Sequence, residues 1–218
     1  MRLGISCADG RLPAEVLGVL RAAGLLAGEL DGAAPPALLP AAGSPDASAP
    51  STAVHSWLLA GAGDVLAACE RGALDAGIVG KDVLLESDAE VYELLDLGVP
   101  GDAVVHAVTG APGTGKRPSR TRVATRYPRV ARGYFDAAGL QVELLELEAP
   151  ALAVGLGLAA GVVELRSRLL GTVGAALEER AVVAAGSARL VCGRAARTLS
   201  GAALEDLVER LRASAAAP

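Results

Sequence analysis

Lysine, histidine, cysteine and aromatic residues are all scarce in this 218-residue chain: two lysines (Lys81 and Lys116), two histidines, three cysteines and 2% aromatics. Cys7, Cys69 and Cys192 are odd in number and far apart, with no second cysteine or histidine at metal-ligand spacing. That excludes a disulfide framework and a cysteine-based metal site, and reads as free thiols in a reducing compartment. No segment is apolar for a membrane-spanning length, and Met1 to Ser6 meets Asp9 before a signal-like apolar stretch develops. The expectation is a cytoplasmic protein without membrane attachment. Acids are missing from Ala103 to Phe135, where Lys116, Arg117, Arg120, Arg122, Arg126, Arg129 and Arg132 gather. Two readings stand for this run, a surface for phosphate groups and a solvated edge strand guarded by its charges, and spacing alone favours the second.

What is present suffices for a core. Apolar residues make up 52% of the chain and charged residues 21%. A chain of this length removes roughly 70% of its unfolded surface from water, as one large domain or two small lobes. Disorder throughout is thereby excluded. The net charge of -5 does not favour general nucleic-acid binding. Arginine outnumbers lysine heavily alongside abundant Ala, Gly, Leu and Val, so part of the composition reflects a GC-rich coding bias.

Arg2 to Cys7 reads as a strand, and Val16, Leu17, Leu20 and Leu25 give Pro13 to Leu26 a helical period, with Asp9-Gly10 as the turn between them. Residues 33 to 53 are Pro/Ala/Ser-rich without a sustained period and read as a loop. Strands are predicted at His55 to Ala60, Ala76 to Val79, Ala103 to Val108, Arg122 to Thr125, Gln141 to Leu147, Val162 to Leu165 and Ser187 to Cys192. Helices are predicted at Asp64 to Arg71, capped by Asp64, at Pro128 to Ala138, at Leu152 to Ala159, and at Leu199 to Leu211, capped near Ser200; Lys81 to Glu86 reads as a polar-apolar turn. Alternation of β and α implies an α/β fold with parallel sheet.

Two glycine-rich motifs mislead. Gly110 to Lys116 nearly spells a Walker A loop, but Arg117 stands where the Mg²⁺-binding hydroxyl belongs and Pro118 with a β-like run replaces the helix start. Gly155 to Ala160 fits a loose dinucleotide pattern, yet it ends a helix and precedes a strand, the reverse of the fingerprint. His55 and His106 have no partner acid or nucleophile at fixed spacing and make poor general bases.

Three stretches carry a resemblance: Gly63-Asp64-Val65 with Glu70 to Glu86, Val91 to Gly98, and Arg122 to Pro128 with Tyr134-Phe135, Gly139 and Gln141-Val142-Glu143. Gly10-Arg11-Leu12 and Ser187-Ala188-Arg189-Leu190 extend it toward both ends, so that it covers most of the chain from Arg2 to about Cys192. In order and spacing these resemble the ATP phosphoribosyltransferase family of histidine biosynthesis. The resemblance implies a two-lobed α/β fold like that of type II periplasmic binding proteins. One lobe would be 1–98 with 180–218 and the other 99–179, with ligands in the cleft. It implies joining of ATP and phosphoribosyl pyrophosphate into N1-phosphoribosyl-ATP and pyrophosphate, with Mg²⁺. It also implies the short form of the family, which pairs with a regulatory subunit resembling histidyl-tRNA synthetase in a homo- or hetero-oligomer.

Site residues follow from the same resemblance. Arg11 would meet substrate phosphate and Glu164 the ribose hydroxyls, as the catalytic pair; Asp64 with Gly77 and Gly80 would shape the first-lobe wall. A helix cap for Asp64 and tight packing for the glycines are the plainer readings of those three. The family's phosphate loop, of Glu-x-Thr-Gly-x-Thr type, is altered: Glu164 keeps the preceding acid, but Arg168-Leu169 replace Thr-Gly. Gly171 and Thr172 offer what remains of the loop, and Arg166 and Arg168 could meet phosphate with side chains or form a polar rim. Further departures are Ala160, the missing Gly-Ser-x-Glu segment around Glu148 to Ala151, the missing arginine before Asp64, and Asp9. The alternatives to a transferase are a degenerate homologue that binds a small anion or nucleotide or serves as a partner subunit, and an enzyme with changed substrate.

Overall fold

The computed structural model describes residues 1–7, 13–26, 30, 32–40, 54–109, 121–170 and 177–215. The chain opens with β1 (Arg2–Ser6), α1 (Ala14–Ala22), β2 (Ala37–Pro40), β3 (Ser56–Ala60), α2 (Ala62–Glu70), β4 (Ala76–Gly80), α3 (Lys81–Glu86) and β5 (Val91–Pro100). It continues through β6 (Val104–Thr109), β7 (Thr121–Thr125), α4 (Pro128–Ala137), β8 (Val142–Glu146), α5 (Pro150–Gly155), β9 (Gly161–Leu165), α6 (Arg166–Leu170) and β10 (Leu177–Ala184). It closes with β11 (Ser187–Gly193), α7 (Arg194–Leu199) and α8 (Gly201–Ala215). Two compact units result, Met1–Pro100 with Ser187–Pro218, and Gly101–Gly186. The second junction falls at 186/187 rather than near 180, because β10 hydrogen-bonds along β6 and so stays whole within the second unit.

The first unit holds a six-stranded sheet in the order β2-β3-β1-β4-β11-β5. β1 is parallel to β3 and β4, whereas β2 is antiparallel to β3, and β11 is antiparallel to both β4 and β5. The sheet is therefore mixed, not the parallel sheet that βα alternation suggests: chain return through β11 adds antiparallel pairs that local periodicity does not encode. On one face Leu3, Ile5, Trp57, Leu59, Ile78 and Leu190 pack with Val16, Leu17 and Leu20 of α1 and Leu204, Leu207 and Leu211 of α8. On the other face Val65, Leu66 and Cys69 of α2 meet Val79 and Val191. That face is closely approached because Gly4 and Gly77 are paired neighbours in the register. A Cβ on Gly77 would stand 2.7 Å from Val65 Cγ1 and 2.9 Å from Cys69 Sγ, and one on Gly4 3.0 Å from Val65 Cγ1. Two missing side chains thus make a seat for Val65.

The second unit has a five-stranded sheet, β10-β6-β9-β7-β8. β7 is parallel to β8 and β9, and β6 runs antiparallel to β9 and β10. Val123, Val104 and Val163 face Tyr127, Ala131 and Phe135 at and in α4, while Ala124, Ala107 and Val162 face Ala153 and Val154 of α5. The single-residue offset between Val123 and Ala124 follows from strand alternation.

Several expectations are corrected. β7, which carries Arg122 of the arginine-rich run, has partners on both sides and is not an edge strand. Gly61 precedes α2 at the cap position and gives no side-chain cap, and Asp64 lies inside the first turn. Lys81 to Glu86 is a helix rather than a turn. The run 33–53 contains β2, and β10 was not foreseen; the remainder, 41–53, lies outside the described residues, as do Asp9-Gly10 and Gly110 to Lys116. The C-terminal helix is preceded by the separate α7, and Ser200 at the joint accepts the Leu204 N–H through its carbonyl. Gly157, in the left-handed region at φ 73°, ends the α5 segment, in keeping with its helix-terminal reading.

Candidate active site

Parallel β7, β8 and β9 bring their carboxyl ends to one rim of the second sheet, since Thr125 pairs with both Val163 and Glu146. Ligands of open α/β sheets bind outside such ends. Thr125, fully buried, donates to the Val163 carbonyl (2.9 Å) and accepts the Tyr127 N–H (2.8 Å), which fixes the turn from β7 into α4. That turn projects Arg126 toward the end of β9.

Glu164 stands there, only 2% exposed. Its Oε1 accepts the Leu165 N–H at 2.8 Å, and its Oε2 lies 3.6 Å from Arg126 Nε. Burial pushes this carboxyl upward from the ordinary range, against the Leu165 N–H and the charges of Arg126 and Arg168, while Asp102 adds to the rise. The Arg126 guanidinium also donates to the Glu148 carbonyl and sits 3.4 Å from Glu148 Oε2.

The segment expected to form the phosphate loop begins with one short helical run, α6. Arg166 forks onto Glu179 of β10, Nε to Oε2 at 2.9 Å and Nη2 to Oε1 at 2.8 Å. Asp102 Oδ2 accepts the Ser167 N–H at 3.0 Å and also the Ser167 hydroxyl. Glu164, Arg166 and Arg168 are therefore gathered near one sheet rim, with Arg166 already occupied by an acid of its own unit. Sequence reading missed Asp102, Glu148, Ser167 and Glu179 and took Arg126 as one member of a basic run and of a family-like stretch, with no role of its own. The available signal for Arg126 was its place directly after a strand parallel to the one carrying Glu164.

In the first unit, Asp64 is exposed, with its carboxylate 3.5 Å from where a Gly61 Cβ would be. Gly77 is a packing glycine, as the plainer reading held. Gly80 opens α3, and the Asp82 carboxylate fills the place its side chain would take. The adjoining Lys81 pairs with Glu93 at 2.6 Å, and Arg189 bridges Glu93 and Asp96 at 2.6 and 2.7 Å. Arg11, Gly171 and Thr172 lie outside the described residues.

The other titratable candidates have structural surroundings. His106 packs on Phe135 and Tyr134, with ring centroids 5.1 and 5.7 Å away, and burial lowers its pKa. The cysteines are free, and burial pushes Cys69 up to about 12, which makes it a poor nucleophile. Among the described residues no group of three acids, histidines or cysteines could hold a metal ion. No helix among them is long and apolar enough to cross a membrane.

Residues 62–213 match the family model described as HisG: ATP phosphoribosyltransferase. The ATP phosphoribosyltransferase of Geobacillus kaustophilus is 41% identical over 160 residues, 72% of this chain and 75% of the relative. Among solved structures, a chain of the ATP phosphoribosyl transferase (HisG:HisZ) complex from Thermotoga maritima aligns with TM-score 0.70 and 21% identity, covering 99% of this chain and 98% of its own. The putative periplasmic sulfonate-binding protein SsuA from Methylobacillus flagellatus aligns with TM-score 0.59 and 13% identity, covering 98% and 67%. These last two likenesses bear out the expected two-lobed α/β fold of the periplasmic-binding-protein kind. The family-model match and the Geobacillus relative settle ancestry: this chain belongs to the ATP phosphoribosyltransferase family.

Proposed function

We propose that the protein transfers the phosphoribosyl group of phosphoribosyl pyrophosphate to N1 of ATP, the first step of histidine biosynthesis. The N1 lone pair forms the new bond to C1′ as the C1′–O bond to pyrophosphate breaks, and the electron pair leaves on pyrophosphate. The single observation that carries this reading is the placement of Glu164, an acid nearly sealed from solvent at the carboxyl end of a parallel strand in a chain of this family. In this role its carboxylate accepts from the ribose hydroxyls, orienting the sugar while positive charge develops at C1′. Arg11, Arg168 and the remnant Gly171-Thr172 would meet phosphate, and Asp64 and Gly80 would belong to the first-lobe wall, with Gly77 packed behind it. Mg²⁺ would come with the donor's pyrophosphate and offset its charge, since no group of three acids, histidines or cysteines among the described residues would hold it unaided. A cytoplasmic setting and a regulatory subunit resembling histidyl-tRNA synthetase complete the proposal.

The test is purified protein with ATP, phosphoribosyl pyrophosphate and Mg²⁺, with and without such a subunit, followed by the ultraviolet absorbance of N1-substituted adenine. Turnover lost in Glu164→Gln supports the reading; no turnover in either condition defeats it. One observation favours a second reading, a binder without catalysis: Arg166 is committed to Glu179, and Ser167 to Asp102, where phosphate ligation was expected. Isothermal titration with each substrate separates the two, since binding without turnover supports the second and silence removes it.

A further inference from the structure

Glu164 has one oxygen taken by a backbone N–H and the other set beside a cation. Oε1 takes the Leu165 N–H, whereas Oε2 faces Arg126 Nε at 3.6 Å, too long for a hydrogen bond yet close for two opposite charges. Arg126 Nε is itself sealed from solvent and has no hydrogen-bond acceptor. The far end of the same guanidinium is tethered, to the Glu148 carbonyl and the Glu148 carboxylate. Glu148 is 94% exposed, so its charge is largely answered by water, and the tether fixes position more than it neutralises. The positive charge at Nε therefore acts chiefly on Glu164.

We propose that Arg126 is a positioning residue for the transfer, its guanidinium held by Glu148 so that it keeps the buried Glu164 carboxylate charged and able to accept from the ribose hydroxyls of the donor. This rests on the reading of Glu164 given above. A carboxylate taken out of water protonates unless a cation compensates, and a protonated Glu164 would lose half of its acceptor capacity toward a diol. Among the described residues, the other charges acting on Glu164 are Arg168 on α6 and Asp102 ahead of β6, of opposite sign to one another. Arg166, two residues on from Glu164, is absorbed by Glu179. Arg126 is accordingly the cation whose removal should be felt most at Glu164. An unmade bond at Nε costs stability in the free protein, and contacts of this kind tighten when substrate arrives.

The experiment is a carbon-13 carboxyl titration by NMR of the full chain, with the Glu164 resonance assigned through Glu164→Gln. In Arg126→Gln and Arg126→Met the Glu164 midpoint should move to higher pH, and Arg126→Lys should return it toward the wild-type position. In the transferase assay the same two variants should raise KM for phosphoribosyl pyrophosphate about tenfold, with a smaller change in kcat, and move the acid limb of kcat/KM upward. A Glu164 midpoint unchanged in both variants, or shifted equally by the lysine variant, overturns the proposal. If the wild-type protein neither binds nor turns over the donor, the transferase reading fails while the titration still decides whether Arg126 sets the state of Glu164.

Discussion

Glu93 and Glu164 answer pH in opposite directions, and the reason is in their neighbours. Glu93 is held below the ordinary carboxylate range, first by its hydrogen bond from Lys81, then by the Lys81 and Arg189 charges. Its folded pKa lies under the unfolded one, so its contribution to stability is present above the unfolded value and lost as pH falls through the folded value. Glu164 is shifted upward by burial, so its ionisation costs stability, and stability declines as pH rises from the unfolded to the folded pKa. Glu93→Gln should therefore lower the urea midpoint at neutral pH and have little effect in acid. Glu164→Gln should raise the midpoint at neutral pH, a gain that fades as pH falls below the carboxylate range. Urea titrations at pH 3 to 8 (a span of about the two pKa ranges) check both signs. Neither side chain announces its direction in sequence. Glu93 is remote in chain position from Arg189, and Glu164 reads simply as an acid at a strand end.

Helices and strands here turn on glycine more than on caps. Gly133 lies inside α4, is exposed, and has open space where a Cβ would stand, with no atom within 4 Å. Gly133→Ala should stabilise the protein by about 0.8–1 kcal/mol through helix propensity, measured by chemical denaturation. Gly193 is the contrary case. It ends β11, and a Cβ there would overlap the carbonyl oxygen of Cys69 and stand 2.8 Å from its carbonyl carbon. Backbone rather than a flexible tip is in the way, so Gly193→Ala should cost about 3 kcal/mol or more, seen as a lowered urea midpoint. Which elements were legible follows similar physics. β1, β3, β4 and β9 read clearly because apolar residues run together or alternate between turn residues. β2 hides in a proline-rich run, yet as an edge strand it tolerates Pro40 at its end. β10 carries Glu178, Glu179 and Arg180, and its register shifts between Glu179 and Ala181, which breaks the alternation a strand search relies on.

Taken together, the two units differ in how the chain builds them. The second is one continuous stretch, Gly101–Gly186, with its own sheet and packed clusters on both faces, while the first closes only when β11, α7 and α8 return. A fragment spanning Gly101 to Gly186 should thus unfold cooperatively alone, with slow amide exchange in β7 and β9, whereas Met1 to Pro100 alone should lack such protection, because β11 lies between β4 and β5. Hydrogen exchange of the two fragments tests this. The linear order of residues was enough for family and for the α/β pattern, since matching stretches and apolar periods are properties of neighbours along the chain. It was enough, too, to single out Glu164. Folding alone settled what surrounds that acid: Ser167 reaches Asp102 across 65 positions, Arg166 spends its charge on Glu179, and Arg126 arrives from another strand. Charge and burial act through distance in space, and a sequence rich in arginine does not say which arginine will stand 3.6 Å from the buried carboxylate.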